Sequence, residues 1–336
     1  MSSFCRDFKN AMIPWCRLFR LPNLLTVPGD PLAGFLFCAS LSAEASLASK
    51  HIFSASTSLA LGSAMLASLC LYMLGLVAND LADLDEDMQT RPFRPLPSGK
   101  ISLRSAKTTC AILLLFAIAA GFLAGRTSLL LIMILAAEIA AYNFLSKRHS
   151  FAGPLLLGLC RGTNIMLGAA AACDALKICF SWKQLIPVSA IAIFYFFYIY
   201  GLSRRAAEET TSFAKPEGIR WLQSIAIGWP SLVIFLQLGF FPGLHFNNAH
   251  DYKPIMVHGL AGCSALLFSL LVFHELRILK KEEKAEIVQK GIGALIRNAL
   301  IFQASVCALG GYGIAAILLI IAYPVAGWAG RKFYGS

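Results

Sequence analysis

Charge is scarce in this chain of 336 residues. Only 14% of the residues are charged, whereas about 25% is usual in a soluble domain. Hydrophobic residues make up 57%, and the mean hydropathy is +0.68. Apolar runs of about 20 residues, the length that crosses a bilayer as a helix, recur from one end of the chain to the other. The composition excludes an ordinary soluble protein and predicts an all-α, polytopic membrane protein.

Cysteine pairing is also missing, although cysteine itself is not. The chain has 10 cysteines, which lie scattered and mostly inside apolar runs. No CxxC motif and no Cys/His pair with ligand spacing occurs, which excludes a disulfide framework and a zinc site. These thiols are typical of small apolar packing residues. No polar linker divides the chain, so we expect a single transmembrane domain over residues 1–336.

Nine apolar runs are long enough to be membrane spans, and the last could be bent or broken near Gly310, Gly311 and Gly313. Lysine and arginine concentrate in alternate connecting segments, beginning with the N-terminal one. By the positive-inside rule, the N-terminus and the most polar loops are cytoplasmic and the C-terminus lies on the opposite side. The net charge of +11 therefore reflects topology in a lipid bilayer and not nucleic-acid binding. The predicted spans are 24–41, 58–79, 108–125, 128–145, 151–172, 185–203, 222–241, 254–273 and 298–329.

One short stretch is rich in charge: the sequence NDLADLDEDMQT begins at Asn79, directly after an apolar run. If the helix of that run continues, three aspartates share one face within about 60° of one another. They are Asp80, Asp83 and Asp87, with Asn79 beside them, whereas Asp85 points to the far side. Carboxylate and amide oxygens gathered in this way are typical of a Mg²⁺ site that shares phosphate oxygens. The simpler alternative is a solvated acidic loop after a membrane helix.

Arg91 and Arg94 follow in a proline-rich segment, RPFRPLPSGK. Proline prevents continuation of the helix and stiffens the loop. A rigid loop that carries guanidinium groups beside a metal–carboxylate cluster suits phosphate oxygens, which arginine binds through two parallel hydrogen bonds. The positive-inside rule also accounts for these charges, but it does not account for the prolines.

The whole segment NDLADLDEDMQTRPFRPLPSGKIS resembles the NDxxDxxxD…RPxRPxPSG signature of the UbiA superfamily of intramembrane prenyltransferases. LFRLPNLLTVPGDPLAGFL, YNFLSKR and RGTNIMLG resemble that family's first, fourth and fifth spans. The resemblance implies nine helices around a central cavity, a polyprenyl diphosphate substrate, Mg²⁺, and an acceptor that is commonly an aromatic ring. It makes Asp80, Asp83 and Asp87 catalytic in ionising the C–O bond of the diphosphate. Lys147, where the fourth span meets the cytoplasm, is either a diphosphate contact or an ordinary interfacial anchor.

Two polar side chains interrupt the predicted fifth span. Arg161 and Asn164 share one helix face with Gly168. An arginine inside a span is costly in lipid and normally faces a cavity or a partner. Asp30 and Glu138 are the candidate partners. A buried ion pair that fixes helix packing and a role in lining the substrate site are both compatible with this placement.

Aspartate is missing where the family usually carries a second acidic motif, after the sixth span. That segment reads YIYGLSRRAAEETTSFAKPEG and offers Arg204, Arg205 and Glu208 instead. Arg204 and Glu208 are spaced for a pair on a helix surface; alternatively, one arginine replaces a second Mg²⁺ as counter-charge for the diphosphate, with Glu208 holding the guanidinium in place. RLPN, RGTN and LSR together resemble the EboC-like members of the superfamily, in which this motif is changed. The alternative to a prenyltransferase is therefore a homologue that binds or moves an isoprenoid or another amphipathic metabolite without chemistry.

Overall fold

The computed structural model describes residues 12–41, 54–146, 149–177, 182–208, 217–240, 252–281 and 285–334. Within these ranges the chain is helical and contains no strand, which confirms the predicted all-α class. A helical stretch at residues 12–18 is followed by the helices α1 (Leu21–Leu24), α2 (Gly29–Ser40), α3 (Ala55–Ala82), α4 (Leu84–Thr90), α5 (Leu103–Ala124), α6 (Arg126–Ala141), α7 (Ala152–Leu176), α8 (Trp182–Glu208), α9 (Glu217–Phe240), α10 (Tyr252–Lys281), α11 (Ala285–Leu309) and α12 (Gly313–Tyr334). A π-helical turn, Tyr142–Ser146, extends α6.

Local sequence explains where several helices begin. The Ser54 side chain accepts a hydrogen bond from the backbone N–H of Thr57 (3.4 Å) and caps α3. Ser102 caps α5 in the same way, through the backbone N–H of Ser105 (3.1 Å). Serine is a preferred residue at this position because its oxygen satisfies an N–H that has no partner inside the helix. Gly125, at φ 136°, is the whole link between α5 and α6.

Nine helices in the described ranges are at least 18 residues long and apolar enough to cross a membrane. The number of spans agrees with the prediction, but two of the predicted spans differ from the helices observed. The predicted span 24–41 is divided into α1 and α2, and α2 has 12 residues, fewer than the ~20 that a crossing takes. The predicted span 298–329 holds parts of both α11 and α12, because residues 310–312 form a turn with Gly311 at φ 90°.

Helices α11 and α12 lie antiparallel. The side chain of Arg297, halfway along α11, lies 3.7 Å and 4.0 Å from the positions that a Cβ on Gly327 and on Gly330 would take. Helix α12 also contacts α1. The described chain therefore ends at the same end of the bundle as the acidic stretch. The predicted C-terminus on the side opposite the site loops is wrong for this fold, because its last span is two helices and the second one returns.

Helices α2 and α7 approach so closely that their backbones touch. A Cβ on Gly34 would lie 2.0 Å from the carbonyl oxygen of Ile165, and one on Gly168 would lie 2.0 Å from that of Pro31. Small residues permit this kind of crossing inside membranes. The contact holds Asp30, in the first turn of α2, against the polar face of α7.

Aromatic side chains pack α8 and α9 against α11. The Tyr195 and Phe302 rings stack with their centroids 4.8 Å apart, and the Trp229 and Phe302 centroids are 4.1 Å apart. All three side chains are fully buried. The indole N–H of Trp229 donates to the hydroxyl of Ser305 at 3.0 Å, so the one polar atom of this ring is satisfied. This packing fixes Tyr195 beside the polar face of α7.

Candidate functional site

The acidic stretch lies where α3 ends and α4 begins. Helix α3 ends at Ala82, and Asp83 (φ −94°, ψ 3°) separates it from α4, so the predicted continuous helix is wrong. The hydrogen bonds nevertheless continue across the break: the Asp83 N–H donates to the Asn79 carbonyl (3.1 Å), and the Asp87 N–H donates to the Asp83 carbonyl (2.8 Å). Helical spacing is therefore kept, and Asp85 lies on the exposed side, as predicted.

The predicted group of oxygen-bearing side chains comes together at this break. Asn79 Nδ2 lies 3.4 Å from Asp80 Oδ1 and 3.5 Å from Asp83 Oδ2. Arg94 Nη1 lies 2.6 Å from Asp87 Oδ2 and 3.9 Å from Asp80 Oδ1. Carboxylates this close repel one another unless a cation lies between them. In this structure the cation is the guanidinium of Arg94.

Two further arginines add positive charge around this acidic cluster, defined here as Asn79, Asp80, Asp83 and Asp87. Arg91 Nη1 lies 3.8 Å from Asp87 Oδ1, with 48% of the Arg91 side chain exposed. Arg20, just before α1, acts electrostatically on Asp80. As one of the basic residues before the first span, Arg20 was expected to mark topology, and its place beside the cluster was not predicted. Its position in the first-span segment LFRLPN was the available signal.

The donor atoms of the acidic cluster fit Mg²⁺ in kind, since they are carboxylate and amide oxygens. Within the described ranges, no three His, Cys, Asp or Glu side chains converge closely enough to hold a metal ion. Arg94 Nη1 lies 2.6 Å from Asp87 Oδ2 and 3.9 Å from Asp80 Oδ1 instead. A bound magnesium ion would replace one positive charge with another at the same carboxylates.

A second polar cluster lies inside the bundle, around Asp30. Arg161 Nε is 3.1 Å from Asp30 Oδ2, so Asp30 and not Glu138 is the partner of this arginine. Asn164 Nδ2 donates to Asp30 Oδ2 at 2.9 Å. Gln303 Nε2 donates to Asp30 Oδ1 at 2.5 Å. The Asp30 side chain is completely buried, and both of its oxygens are hydrogen-bonded. We call Asp30, Arg161, Asn164, Gln303 and Tyr195 the buried network.

Tyr195 and Gln303 were not predicted as members of this network. The Tyr195 hydroxyl accepts hydrogen bonds from Arg161, the partner of Asp30. Gln303 donates to the backbone carbonyl of Thr26 at 2.7 Å, and Arg161 Nη2 donates to the same carbonyl at 3.3 Å. Gln303 is a polar residue inside a predicted span, and that rarity was the signal that pointed to it.

The residues that stand in place of the second acidic motif lie near the end of α8. Arg204 Nη1 donates to the Ser150 carbonyl at 2.5 Å, which joins α8 to the start of α7. Arg205 is buried, and its Nε has no hydrogen-bond partner in the described part of the chain. Glu208 ends α8, but its side chain lies outside the described residues, as does the whole of Lys147. That these side chains take part in binding a diphosphate stays a prediction.

Curated relatives share part of this sequence. The digeranylgeranylglyceryl phosphate synthase of Saccharolobus solfataricus is 33% identical over 97 residues, which are 29% of this chain and 34% of that protein. The digeranylgeranylglyceryl phosphate synthase of Methanocaldococcus jannaschii is 25% identical over 171 residues, which are 51% of this chain and 56% of that protein. The chain therefore spans from about a third to little more than half the length of these relatives.

Solved structures and a family profile extend the likeness to most of the chain. A UbiA homologue from Aeropyrum pernix K1 has a TM-score of 0.61 at 18% identity, covering 84% of this chain and 96% of that one. A UbiA homologue from Archaeoglobus fulgidus bound to GPP and Mg²⁺ has a TM-score of 0.55 at 16% identity, covering 91% and 99%. These structures share the fold. The profile of the UbiA prenyltransferase family matches residues 35–287, and nine helices in the described part of the chain are fit to cross a membrane. This multi-pass membrane protein belongs to the UbiA prenyltransferase family.

Proposed function

We propose that the protein is a Mg²⁺-dependent membrane prenyltransferase that transfers an isoprenoid chain from a polyprenyl diphosphate to an acceptor. The observation that carries the proposal is the acidic cluster between α3 and α4, with three arginines around it. Carboxylates alone would repel a diphosphate. Carboxylates with exchangeable cations at the end of a membrane helix suit a metal–diphosphate headgroup whose apolar chain lies among the helices.

The acidic cluster and the arginines beside it would have different roles. Asn79, Asp80, Asp83 and Asp87 would hold Mg²⁺. Bound there, the ion supplies Lewis-acid stabilisation of the negative charge that develops on the departing diphosphate. Arg91 and Arg94 would contact phosphate oxygens, because guanidinium groups match them in shape and charge. Arg94 contacts Asp87 in this structure. If Mg²⁺ neutralised the carboxylates, the Arg94 side chain could turn from Asp87 to a phosphate oxygen.

Arg204 and Arg205 would take the part that a second acidic motif plays elsewhere in the family. An arginine at the end of α8 neutralises diphosphate charge directly, with Glu208 as the residue that orients it. Such a replacement keeps electrostatic binding but supplies less Lewis-acid assistance to the leaving group. We therefore expect slower ionisation of the substrate than two metal ions would give. Lys147 and the Arg161–Asn164 face of α7 complete the proposed contacts to substrate.

The acceptor is the least constrained part of the proposal. The named relatives are synthases of a glyceryl phosphate that carries geranylgeranyl chains, and the superfamily commonly prenylates aromatic rings. We therefore propose two acceptors for assay: a glyceryl phosphate with one geranylgeranyl chain, and 4-hydroxybenzoate. The first offers an alcohol oxygen to the allylic carbon, whereas the second offers a ring carbon that its phenol group activates.

A non-catalytic homologue that binds or moves an isoprenoid or another amphipathic metabolite is the alternative. It is favoured by the absence of aspartate from the sequence YIYGLSRRAAEETTSFAKPEG. The intact first motif favours the enzyme. Purified protein that releases diphosphate from geranylgeranyl or farnesyl diphosphate only with Mg²⁺ would support the enzyme, and binding without release would support the alternative.

Calorimetric titration with a non-hydrolysable prenyl diphosphate analogue tests the cluster itself. Asp80→Asn and Asp83→Asn should abolish Mg²⁺-dependent binding, because each removes a proposed metal ligand. Asp85→Asn is the matched control, since this exposed carboxylate lies two residues from Asp83 and points off the cluster. Arg204→Ala should weaken binding while Mg²⁺ is present. Unchanged binding by Asp83→Asn together with loss by Asp85→Asn would overturn the proposed cluster.

The orientation in the membrane is proposed from charge: the end of the bundle that carries the acidic cluster faces the cytoplasm. Single cysteines at Ser98 and Lys177 mark the two ends, because Ser98 follows α4 and Lys177 caps the far end of α7. A membrane-impermeant thiol reagent applied to intact cells should label Lys177→Cys and leave Ser98→Cys unlabelled. Arg331→Cys should behave like Ser98→Cys, since α12 returns to that end. The reverse pattern would invert the proposed topology.

A further inference from the structure

Arg297 is an arginine inside a membrane-spanning helix that has no carboxylate beside it. It lies near the middle of the span Glu286–Leu309 in α11. In the described ranges, no aspartate or glutamate oxygen lies within 4.0 Å of its guanidinium. Arg161, by contrast, has Asp30 at 3.1 Å. An arginine within a span normally faces a partner or a cavity, so Arg297 is a candidate to bind an anion from outside the chain.

Two polar groups on neighbouring helices act electrostatically on Arg297: Glu275 of α10 and Tyr323 of α12. Neither forms an ion pair with it within 4.0 Å. The Nε atom of Arg297 is buried and has no hydrogen-bond partner among the described residues, whereas Nη1 and Nη2 are not enclosed in this way. The side chain is partly exposed, so the two Nη groups are the ones that a ligand would meet.

Three glycines leave space around this guanidinium. Among the described residues, a Cβ on Gly327 would have only Arg297 Nε within 4 Å, at 3.7 Å. A Cβ on Gly293 or on Gly330 would have only Arg297 Nη1, at 3.9 Å and 4.0 Å. The guanidinium therefore lies in a groove between α11 and α12 that is not filled by other side chains. We call Gly293, Arg297, Gly327 and Gly330 the α11–α12 groove.

The groove lies near one surface of the membrane. Gly327 and Gly330 come about two turns and one turn before the end of α12, which is ~10 Å and ~6 Å along the helix axis. Trp328, between them, is 56% exposed, and Arg331 is also exposed. Tryptophan and arginine at the end of a span are typical of the headgroup level. The Arg297 side chain thus reaches from the middle of its span to the level of lipid phosphates.

An exposed stripe of side chains runs along α12 beside the groove. Its members lie within about 60° of one another around the helix axis. They are Ile317, Pro324, Trp328 and Arg331, and all four are exposed. The apolar members lie deeper in the span and the arginine lies closest to the end of the helix. A molecule with a charged head and apolar chains would match this order.

A phosphate carried by a lipid fits the groove in charge, shape and depth. A guanidinium binds two phosphate oxygens through parallel hydrogen bonds, and the surrounding segment is net positive, since residues 274–297 contain six lysines and arginines and four glutamates. Basic sites between membrane helices are known to bind acidic headgroups. We propose that the α11–α12 groove binds an acidic phospholipid of the surrounding bilayer, whose phosphate contacts Arg297 and whose acyl chains lie along the exposed stripe of α12. This site does not depend on the proposed prenyl transfer.

Native mass spectrometry of the purified protein with added phosphatidylglycerol tests the charge. The parent should bind phosphatidylglycerol about tenfold or more tightly than phosphatidylcholine with the same acyl chains. Arg297→Gln should lower the affinity for phosphatidylglycerol about tenfold, because charge-assisted hydrogen bonds are lost. Arg297→Lys should bind with intermediate affinity, since it keeps the charge but not the two parallel hydrogen bonds. Arg104→Gln is the matched control: this exposed arginine of α5 lies at the same end of the bundle, and the variant should bind like the parent.

A second pair of variants tests the space and leaves the charge in place. Gly330→Leu fills the groove beside Arg297 Nη1 and should lower the affinity for phosphatidylglycerol about as much as Arg297→Gln does. Gly262→Leu is its control, because a Cβ on Gly262 of α10 meets nothing within 4 Å and the groove stays open. Attraction of lipid by the net charge alone would leave Gly330→Leu with parental affinity.

Competition identifies the source of the phosphate. Glycerol 3-phosphate, which has the phosphate but no apolar chains, should not displace phosphatidylglycerol when the two are at equal concentration. Displacement by it would assign the groove to a free phosphate compound and overturn the inference. Displacement by a much lower concentration of the glyceryl phosphate with one geranylgeranyl chain would assign the groove to the acceptor, and would likewise overturn it.

Thermal unfolding in detergent micelles shows whether each variant is folded. Phosphatidylglycerol should raise the unfolding temperature of the parent and of Arg104→Gln more than that of Arg297→Gln and Gly330→Leu, because a ligand stabilises the form that binds it. If Arg297→Gln does not fold, Gly330→Leu decides. Parental affinity for phosphatidylglycerol in either folded groove variant, or equal binding of the two phospholipids by the parent, would overturn the inference and leave the proposed function untouched.

Discussion

Two carboxylate–arginine pairs in this protein use the same chemistry in different surroundings. Asp30 and Arg161 lie 3.1 Å apart inside the bundle, with 0% and 13% of their side chains exposed. Asp87 and Arg94 lie 2.6 Å apart at the helix end, with 3% and 24% exposed. The first pair is hydrogen-bonded by the amides of Asn164 and Gln303 and by the hydroxyl of Tyr195. The second shares its arginine with Asp80 and lies partly in contact with solvent.

The two pairs differ in whether the carboxylate can exchange its arginine for another cation. A buried pair that loses one member leaves an uncompensated charge, so its partners are fixed. A pair at the edge can exchange its cation, because water and ions reach it. The buried network therefore holds α2, α7 and α11 together, whereas we expect the acidic cluster to exchange its cation. Four predictions test that difference through the stability of variant proteins.

Arg161→Glu should be the most damaging change. It places a second carboxylate beside the fully buried Asp30, and we expect the protein not to accumulate in folded form. Arg161→Leu should cost about 3–5 kcal/mol, the usual loss when one member of a buried pair is removed. Asp30→Asn combined with Arg161→Leu should recover part of that loss. Thermal unfolding in detergent micelles gives the comparison.

Two outcomes for these variants would contradict the prediction. Equal tolerance of Arg161→Glu and Arg161→Leu would show that position 161 faces water or lipid headgroups. Additivity of the Asp30 and Arg161 changes would show that the two side chains are not energetically coupled.

Gly168→Ala should come next in size. The added Cβ would lie 2.0 Å from the Pro31 carbonyl oxygen, so α2 must move away from α7 and strain the buried network. Overpacking of this kind costs about 1–3 kcal/mol. Gly62→Ala is the matched control, since a Cβ on Gly62 of α3 meets nothing within 4 Å. An equal loss of stability in the two variants would argue against a specific α2–α7 contact.

The sequence predicted the class of fold and the place of the acidic cluster, because hydropathy and helical spacing are local properties. It placed Asp80, Asp83 and Asp87 together even though the helix breaks at Asp83, since the break keeps the hydrogen-bond spacing. It left the partner of Arg161 open between two carboxylates, because that choice depends on how closely α2 approaches α7. Tertiary packing, and not local pattern, decides such contacts.

The helix order shows the same limit. A turn of three residues at 310–312 reverses the chain inside one continuous apolar run, and hydropathy does not register it. The glycines there were a sign of a break, but not of its direction. In the sequence Tyr195 is one of several aromatic residues in FYFFYIY at 194–200. Its hydroxyl joins the network through the packing of α8 on α11.

Arg94→Gln should have a smaller effect that depends on Mg²⁺. Without Mg²⁺ it leaves Asp87 with only the distant, half-exposed Arg91, and the unfolding temperature should fall slightly. Addition of Mg²⁺ should raise the unfolding temperature of Arg94→Gln more than that of the parent, because Arg94 no longer competes for the carboxylates. Arg91→Gln is the control and should respond like the parent. An equal response of all three proteins would show that Arg94 and Mg²⁺ do not share a site.

The smallest effect should come from a pair that is as short as the others but fully exposed. Lys290 Nζ lies 2.7 Å from Glu286 Oε1, one turn apart on α11, with 75% and 79% of the side chains exposed. Solvent and salt screen such a pair, and holding two long side chains in one geometry costs entropy. A double-mutant cycle of Glu286→Gln and Lys290→Gln should give a coupling energy within experimental error at about 0.15 M salt. The corresponding cycle of Asp87→Asn and Arg94→Gln should give a measurable coupling under the same conditions. Equal coupling energies in the two cycles would show that distance, and not burial, determines the strength of the ion pairs in this protein. They would contradict the contrast between a fixed interior and an edge whose cations exchange.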